Sequence, residues 1–313
     1  MKASPIAIEI PVLQDAYTPV AVTDTISAAG RKIILNELIY LRQHEDKVQS
    51  DDDHEPIHDM RVATRRIRSA LRLLGSYYRR KPVKRLNERL TGIADALGAV
   101  RDLDVLLIDL RARNDDALLE AITLLETSRA KAHDDLTETI DRRGYKALLV
   151  RLAAFATAAD DLKDVKPPAP IQVRHVVPVL LHEQLAAVRG FDPLFEGDLQ
   201  PNYEIMHELR IAFKRLRYAT SFFSEVLGSA IEPFIGDMKI IQDHLGRLND
   251  VVVFGQALTK LKGKLDAPDA LDELLLAYQA EAEKQASQFK VVWNKFNSRA
   301  AQKHLADALL VLR

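Results

Sequence analysis

Two stretches of this sequence concentrate cationic side chains at helical spacing. Residues 57–74 read IHDMRVATRRIRSALRLL and residues 206–223 read MHELRIAFKRLRYATSFF. At 100° per residue, the repeated side chains of each stretch fall on one face of an α-helix. The first basic face contains His58, Arg61, Arg65, Arg68 and Arg72, and the second contains His207, Arg210, Lys214, Arg217 and Tyr218. Arginine binds phosphate oxygens through two parallel hydrogen bonds, so these faces predict a phosphate ligand.

The side of each helix opposite the basic face is apolar, which predicts that this side is buried. The apolar positions are Met60, Ala63, Ile67, Leu71 and Leu74 in the first stretch, and Leu209, Phe213 and Leu216 in the second. Cations three or four residues apart, such as Arg61 and Arg65, cost about 0.2–0.5 kcal/mol per pair. A solvated face normally alternates acids and bases. Because this repulsion between cations is repeated along both faces, we expect an anionic partner, or acidic side chains from a neighbouring helix, to neutralise them.

The positive charge is local, because the 313 residues carry a net charge of only -1. Residues 58–89 hold eleven Lys or Arg and two acidic residues, a local charge of +9 that leaves about -10 for the rest of the chain. The cations continue past the first basic face in residues 77–89, YYRRKPVKRLNER. A row of cations rising about 5.4 Å per helical turn suits a linear anion with closely spaced phosphates.

The sequence predicts no catalytic residues, no cofactor and no metal site. It contains no Gly-rich phosphate loop, G-x-S-x-G or H-E-x-x-H pattern. The acidic run Asp51–Asp53 suits the start of the following helix better than a divalent cation. Asp102 and Asp250 are expected to orient arginines of the basic helices, with Mg²⁺ bridging as the less favoured alternative. The histidines without paired ligand spacing are expected to be structural, namely His44, His54, His175, His182, His244 and His304.

Long segments without Gly or Pro, rich in Leu, Ala, Arg and Glu, predict an all-α fold. The expected helices span residues 20–48, 57–80, 83–112, 115–141, 144–159, 171–190, 202–228, 231–263 and 268–311. The charged and Pro-rich segment DDLKDVKPPAPI, residues 160–171, predicts a linker between two halves.

The two halves resemble each other. His58 aligns with His207, and LGAVRDLDV from Leu97 aligns with LGRLNDVVV from Leu245. Two matching blocks in the same order indicate a duplicated helical unit. The predicted organisation is an N-terminal tail at 1–19 and a helical domain at 20–313. That domain divides into a first bundle at 20–160, a linker at 161–170 and a second bundle at 171–313, with the bundles related by a pseudo-twofold axis.

Composition narrows the class of protein further. The chain has no Cys, which excludes disulfides, thiolate metal sites and a Cys nucleophile. Pro5, Glu9 and Pro11 interrupt the apolar N-terminal region where a signal peptide needs an unbroken core, and no long uncharged apolar window follows. We therefore expect a cytoplasmic protein without a membrane partner. The sequence does not define its oligomeric state.

The paired pattern HDMRVATRRIRSALR and HELRIAFKRLRYA, with the downstream LGAVRDLDV and LGRLNDVVV blocks, resembles the CHAD family of histidine-containing α-helical domains. The resemblance covers residues 20–313. It implies two four-helix bundles whose basic faces line a central groove or pore that binds inorganic polyphosphate, through His58, Arg61, Arg65, Arg68, His207, Arg210, Lys214 and Arg217. Some relatives add a triphosphate-hydrolysing domain before the helices. Only a short segment precedes the helices here, so that activity is not carried over, and Asn249 replaces Arg101 in the second downstream block.

The favoured function is therefore polyphosphate binding without catalysis, with an association with polyphosphate granules as the resemblance implies. RNA binding is a less favoured alternative, because such sites interleave aromatic side chains and only Tyr218 falls on a basic face. A metal-assisted phosphohydrolase that uses Asp102, Asp250 or the Asp51–Asp53 run is the alternative from the enzyme class.

Overall fold

The computed structural model describes residues 17–49, 55–159, 171–196 and 202–312. All the regular secondary structure in these ranges is helical. Within those ranges no strand occurs, and an isolated β-bridge joins Thr25 to Gln172. The prediction of an all-α fold is confirmed. The helices are α1 Ile26–Glu45, α2 Glu55–Leu73, α3 Arg80–Ala112, α4 Leu119–Asp141, α5 Arg143–Ala156, α6 Val173–Arg189, α7 Tyr203–Phe222, α8 Ser224–Leu227, α9 Glu232–Lys262, α10 Asp272–Phe296 and α11 Arg299–Leu309.

Several helices begin or end at residues other than those that the hydrophobic pattern predicted, and polar side chains cap some of these ends. The first helix begins at Ile26 rather than residue 20, because the Thr25 side chain accepts a hydrogen bond from the backbone N–H of Ala28. The predicted helix 268–311 was wrong, since the chain breaks between α10 and α11. The side chain of Ser298 accepts from the backbone N–H of Ala301 and starts α11. The predicted helix 202–228 stops at Phe222, before the short α8.

The chain divides into two compact units. Unit 1 comprises Met1–Arg113 and Ile122–Val173, and unit 2 comprises Asn114–Ala121 and Arg174–Arg313. Unit 2 therefore includes a short segment from the first half of the sequence, where the Glu120 carboxylate accepts hydrogen bonds from the backbone N–H groups of Asp266 and Ala267 at 2.7 and 3.3 Å. The predicted linker 161–170 and most of the predicted tail 1–19 lie outside the described residues. The pseudo-twofold relation and the central groove or pore remain predictions.

In unit 1, α2 packs against α1 and α3, and α5 also packs against α1 and α3. The apolar side of α2 is fully buried, with no exposed surface on Met60, Ala63, Ile67 or Leu71. This confirms the predicted inward side of the helix. Burial of large aliphatic side chains contributes roughly 1.5–3 kcal/mol each, so this side fixes the rotation of α2 about its axis.

A close contact between α1 and the end of α2 requires a glycine at position 30. A Cβ atom added to Gly30 would lie 2.1 Å from the Tyr78 hydroxyl and 2.8 Å from Leu74 Cδ1. The Tyr78 hydroxyl is held in place because it donates a hydrogen bond to the Ser27 carbonyl at 2.8 Å.

We expect Gly30→Ala to lower the free energy of unfolding by about 1–3 kcal/mol, because the new methyl group overpacks this contact. Urea unfolding of the variant measures the loss. The control is Gly92→Ala in α3, where an added Cβ has no atom within 4 Å. That substitution should stabilise the protein by about 0.5–1 kcal/mol, because alanine loses less conformational entropy in a helix. Equal effects at the two positions would contradict the prediction.

In unit 2, α9 packs against α7, α10 and α11. Phe213 of α7 is fully buried, as predicted, and its ring meets Phe296 edge to face at a centroid distance of 4.8 Å. Trp293 is also buried, and its indole N–H donates to the Asp192 carboxylate at 3.1 Å. This aromatic cluster fixes the inward side of α7, so the cationic side of that helix faces outward from the core of unit 2.

Candidate phosphate-binding site

The first basic face lies on the side of α2 away from its buried residues. His58, Arg61, Arg65 and Arg68 are half-buried, and Arg72 is exposed. The aliphatic stems of such side chains pack along neighbouring apolar surface while their charged ends reach water. The structure therefore brings all five predicted residues of this face to one accessible side of one helix.

Helix α3 positions two of these arginines. Arg61 Nη2 lies 3.1 Å from Asp102 Oδ1, and the guanidinium lies over Gly98, where an added Cβ would be 3.8 Å from Arg61 Nε. Two turns further along α2, Arg68 Nη2 donates to Thr91 Oγ1 at 3.2 Å. The expectation that Asp102 orients an arginine is thus confirmed. The Asp102 side chain is 63% exposed, so the pair is weak and leaves much of the positive potential of the face in place.

Arg66 belongs to a different side of α2. Its Nε lies 2.5 Å from Glu37 Oε1 of α1, and both side chains are largely buried. Burial raises the pKa of Glu37 above its ordinary value of 4.5, and the charge and hydrogen bond of Arg66 offset only part of this effect.

This raised pKa predicts a pH-dependent stability. Folded Glu37 holds its proton more tightly than unfolded Glu37, so its contribution to the free energy of unfolding declines as the pH rises from 4.5 through the folded pKa. Glu37→Gln removes that decline. The stability of the variant relative to wild type should therefore improve between about pH 4 and pH 7. Urea unfolding across this range measures the difference. The control is Glu126→Gln, whose side chain is 47% exposed, and the same trend in both variants would contradict the assignment.

The second basic face lies on α7 in unit 2. Its residues His207, Arg210, Lys214 and Arg217 are half-buried. Tyr218 departs from the prediction, because only 6% of its surface is exposed. Its ring stacks on Phe222 at a centroid distance of 6.0 Å, and Arg217 Cζ lies 5.2 Å from the ring centroid. Helical geometry placed Tyr218 at the edge of the face, but in the structure its ring lies on the buried side of that edge. It supports Arg217 and does not present an open ring.

Tyr203 packs beside the histidine of the second basic face. The His207 ring lies 5.9 Å from the Tyr203 ring, and its Nδ1 is buried without a hydrogen-bond partner among the described residues. This leaves Nε2 as the ring nitrogen for an external anion. The Tyr203 hydroxyl donates to Asn249 Oδ1 at 3.4 Å, and Asn249 Nδ2 donates to Asp250 Oδ1 at 3.4 Å. Burial raises the pKa of Tyr203, and the nearby charge of Arg210 opposes that shift.

Sequence reasoning missed three residues beside the basic faces. Thr91 and Gly98 contact the arginines of α2, and Tyr203 contacts His207. Thr91, Gly98 and Asp102 are spaced by seven and four residues, which places them on one side of α3. This spacing was a usable signal once Asp102 had been predicted to face α2. Tyr203 had no comparable signal, because it lies one turn before the repeated pattern.

Three further histidines contact residues far from them in the sequence, and His54 lies outside the described residues. His244 Nε2 lies 2.6 Å from the Gln285 carbonyl, and His304 Nδ1 lies 2.8 Å from Asp237 Oδ2. Buried His133 contacts the Val48 carbonyl at 2.9 Å. In the parts of the chain that the structure describes, no group of three or more His, Cys, Asp or Glu side chains is arranged to hold a metal ion. The acidic run Asp51–Asp53 lies outside them.

The fold and the two basic faces define an all-helical protein that presents cations from two similar helices. The family model of the CHAD domain matches the sequence at residues 32–259, so the chain belongs to the CHAD family. The crystal structure of the CHAD domain from the plant Ricinus communis is similar over 96% of both chains, with 25% identity and a TM-score of 0.69. PptA from Streptomyces chartreusis shares the fold, with 18% identity and a TM-score of 0.66 over 88% of this chain and all of that one.

A protein of Mycobacterium tuberculosis, Rv2226, is 26% identical over an alignment of 251 residues, which covers 76% of this chain and 47% of the relative. This chain therefore spans about half the length of the curated relative it matches. Across the described ranges, no helix has both the length and the apolar character needed to cross a membrane.

Proposed function

We propose that this protein binds inorganic polyphosphate through the two basic faces and does not act on it as an enzyme. The observation that carries the proposal is the geometry of α2. Its apolar side is fully buried, its cationic side is accessible, and α3 supports that side with the small Gly98, the neutral Thr91 and the exposed Asp102. A linear polyanion supplies negative charge along the length of such a face, which a single phosphate does not.

Family membership supports the same ligand, because the CHAD resemblance implies polyphosphate binding at the matched positions. Each basic face repeats cations about every 5.4 Å along its helix. Arginine forks and the histidine imidazole provide several hydrogen-bond donors to phosphate oxygens. Association with polyphosphate granules in the cytoplasm would follow from binding of this kind, and it forms part of the proposal.

The burial of Tyr218 disfavours single-stranded RNA as the main ligand. Binding of single-stranded nucleic acid commonly stacks bases on open aromatic rings, and only 6% of the surface of Tyr218 is exposed. The pairing of Asp102 with Arg61 likewise favours an orienting role for this carboxylate over metal ligation.

The direct test is a titration of the protein with long-chain polyphosphate, with RNA and ATP as competitors. We expect polyphosphate to bind and neither competitor to displace it at equal phosphate concentration. Affinity should fall steeply with salt, because each neutralised phosphate releases a counterion. Displacement by RNA at equal phosphate concentration would overturn the choice of ligand. Release of free phosphate from polyphosphate with Mg²⁺ or Mn²⁺ would overturn the proposal that the protein is not an enzyme.

A further inference from the structure

The first basic face has an exposed cationic continuation at the beginning of α3. Arg80, Lys81, Lys84, Arg85 and Arg89 are all exposed. Arg80, Arg85 and Arg89 make no ion pair within the described part of the chain, and Lys84 lies 3.7 Å from Glu88 in a pair that is mostly solvent-exposed. Cations in the first turns of a helix oppose its dipole, so this arrangement does not stabilise α3.

Only some of these cations lie in line with the first basic face. Helix α3 contacts that face through Thr91 and Gly98, and the Arg61–Asp102 and Arg68–Thr91 contacts show that α2 and α3 run antiparallel. At 100° per residue, Arg80 and Lys84 lie within about 20° of Thr91 around α3. Arg85 and Arg89 lie about 120° and 160° away, on the other flank of the helix.

The same geometry sets the length of the combined row. Along α2, the distance from His58 to Arg68 is roughly 15 Å. Thr91 of α3 contacts Arg68, and the distance along α3 from Thr91 back to Arg80 is roughly 16 Å. Arg72 lies roughly 6 Å past Arg68 along α2, so Lys84 and Arg80 extend the row by roughly 4 and 10 Å beyond it. Together these residues form a row of cations about 30 Å long.

Unit 2 lacks this continuation. When Gly98 is aligned with Gly246, the positions of Arg80 and Lys84 correspond to Gly228 and Glu232. The second basic face is therefore followed by a neutral residue and an acid. The difference makes the exposed cations of α3 a property of unit 1 alone, and not a general feature of the repeated helices.

We propose that Arg80 and Lys84 form an additional phosphate subsite, which holds the part of a long polyphosphate chain that extends past Arg72. This inference rests on the proposed function and adds a second contact region for the same ligand. A chain too short to reach α3 uses only the basic face of α2, whereas a longer chain also neutralises the two α3 cations.

The test compares two charge-matched double variants. Arg80→Gln with Lys84→Gln removes the two cations in line with the basic face, and Arg85→Gln with Arg89→Gln removes two equally exposed cations from the other flank. We expect the first variant to bind long-chain polyphosphate about tenfold more weakly at low salt. The slope of log affinity against log salt should fall by about 1.4, by analogy with single-stranded nucleic acids. The second variant should bind as wild type does.

Tripolyphosphate is the short probe, and its affinity should be the same for wild type and both variants. Equal losses of long-chain affinity in the two variants, or no loss in either, would overturn the subsite. If Arg65→Ala still weakened long-chain binding in that case, the proposed function would stand without the extension. Failure of wild-type protein to bind long-chain polyphosphate would instead overturn the proposed function itself.

Discussion

Arg65→Ala is expected to weaken the binding of long-chain polyphosphate by about 10- to 100-fold. Arg65 lies in the middle of the first basic face, on the accessible side of α2. A charge-assisted hydrogen bond contributes roughly 1.5–3 kcal/mol, and about 1.4 kcal/mol corresponds to a tenfold change in affinity. The slope of log affinity against log salt should also decrease by about 0.7, since one fewer phosphate is neutralised. Calorimetric titration at several salt concentrations measures both effects.

The control for Arg65→Ala is Arg85→Ala, which removes the same charge from an exposed position on the outer flank of α3. Both variants should retain the wild-type midpoint of thermal unfolding, because alanine is a strong helix former. In unit 2, Lys214→Glu is expected to weaken binding as well, since it reverses a charge on the second basic face. Polyphosphate affinity that is unchanged by Arg65→Ala and Lys214→Glu would show that the ligand binds elsewhere.

Arg129→Leu is expected to lower the free energy of unfolding by about 3–5 kcal/mol. Arg129 Nε lies 2.8 Å from Asp104 Oδ1, and the two side chains are 8% and 0% exposed. The charge of Arg129 offsets part of the cost of removing the Asp104 carboxylate from water. Without the guanidinium, that carboxylate stays buried and the cost is no longer offset. Urea unfolding monitored by circular dichroism measures the loss.

A second ion pair between the same two helices provides the control. Arg111 Nη2 of α3 lies 2.6 Å from Glu126 Oε1 of α4, and these side chains are 50% and 47% exposed. Arg111→Leu should change the stability by at most about 1 kcal/mol, because an exposed pair gains little over hydration. A double variant, Asp104→Leu with Arg129→Leu, should recover much of the stability lost in Arg129→Leu. Equal losses in Arg129→Leu and Arg111→Leu would contradict a dominant role for burial.

Much of the candidate site could be predicted because it depends on neighbours within one helix. A residue and those three, four and seven positions away share a face, whatever the rest of the chain does. The buried side of α2 and the accessibility of His58, Arg61 and Arg65 follow from that periodicity. The all-α fold follows in the same way from segments that lack helix breakers. That Asp102 would orient an arginine of the basic helix was also predictable, and the structure identified that arginine as Arg61.

Other features depend on contacts between residues far apart in the sequence. Arg66 has the same chemistry as Arg65, but α1 brings Glu37 to it and thereby removes it from the accessible face. Tyr218 sits at the edge of the second basic face by helical geometry, but the packing of α7 within unit 2 leaves only 6% of its surface exposed.

The sequence by itself determined the helical class of this protein and the direction in which each cationic side points, because local periodicity sets both. Only the tertiary structure decided which cations meet an acid, which aromatic ring is covered and where α10 ends, because those outcomes depend on the residues that packing brings together.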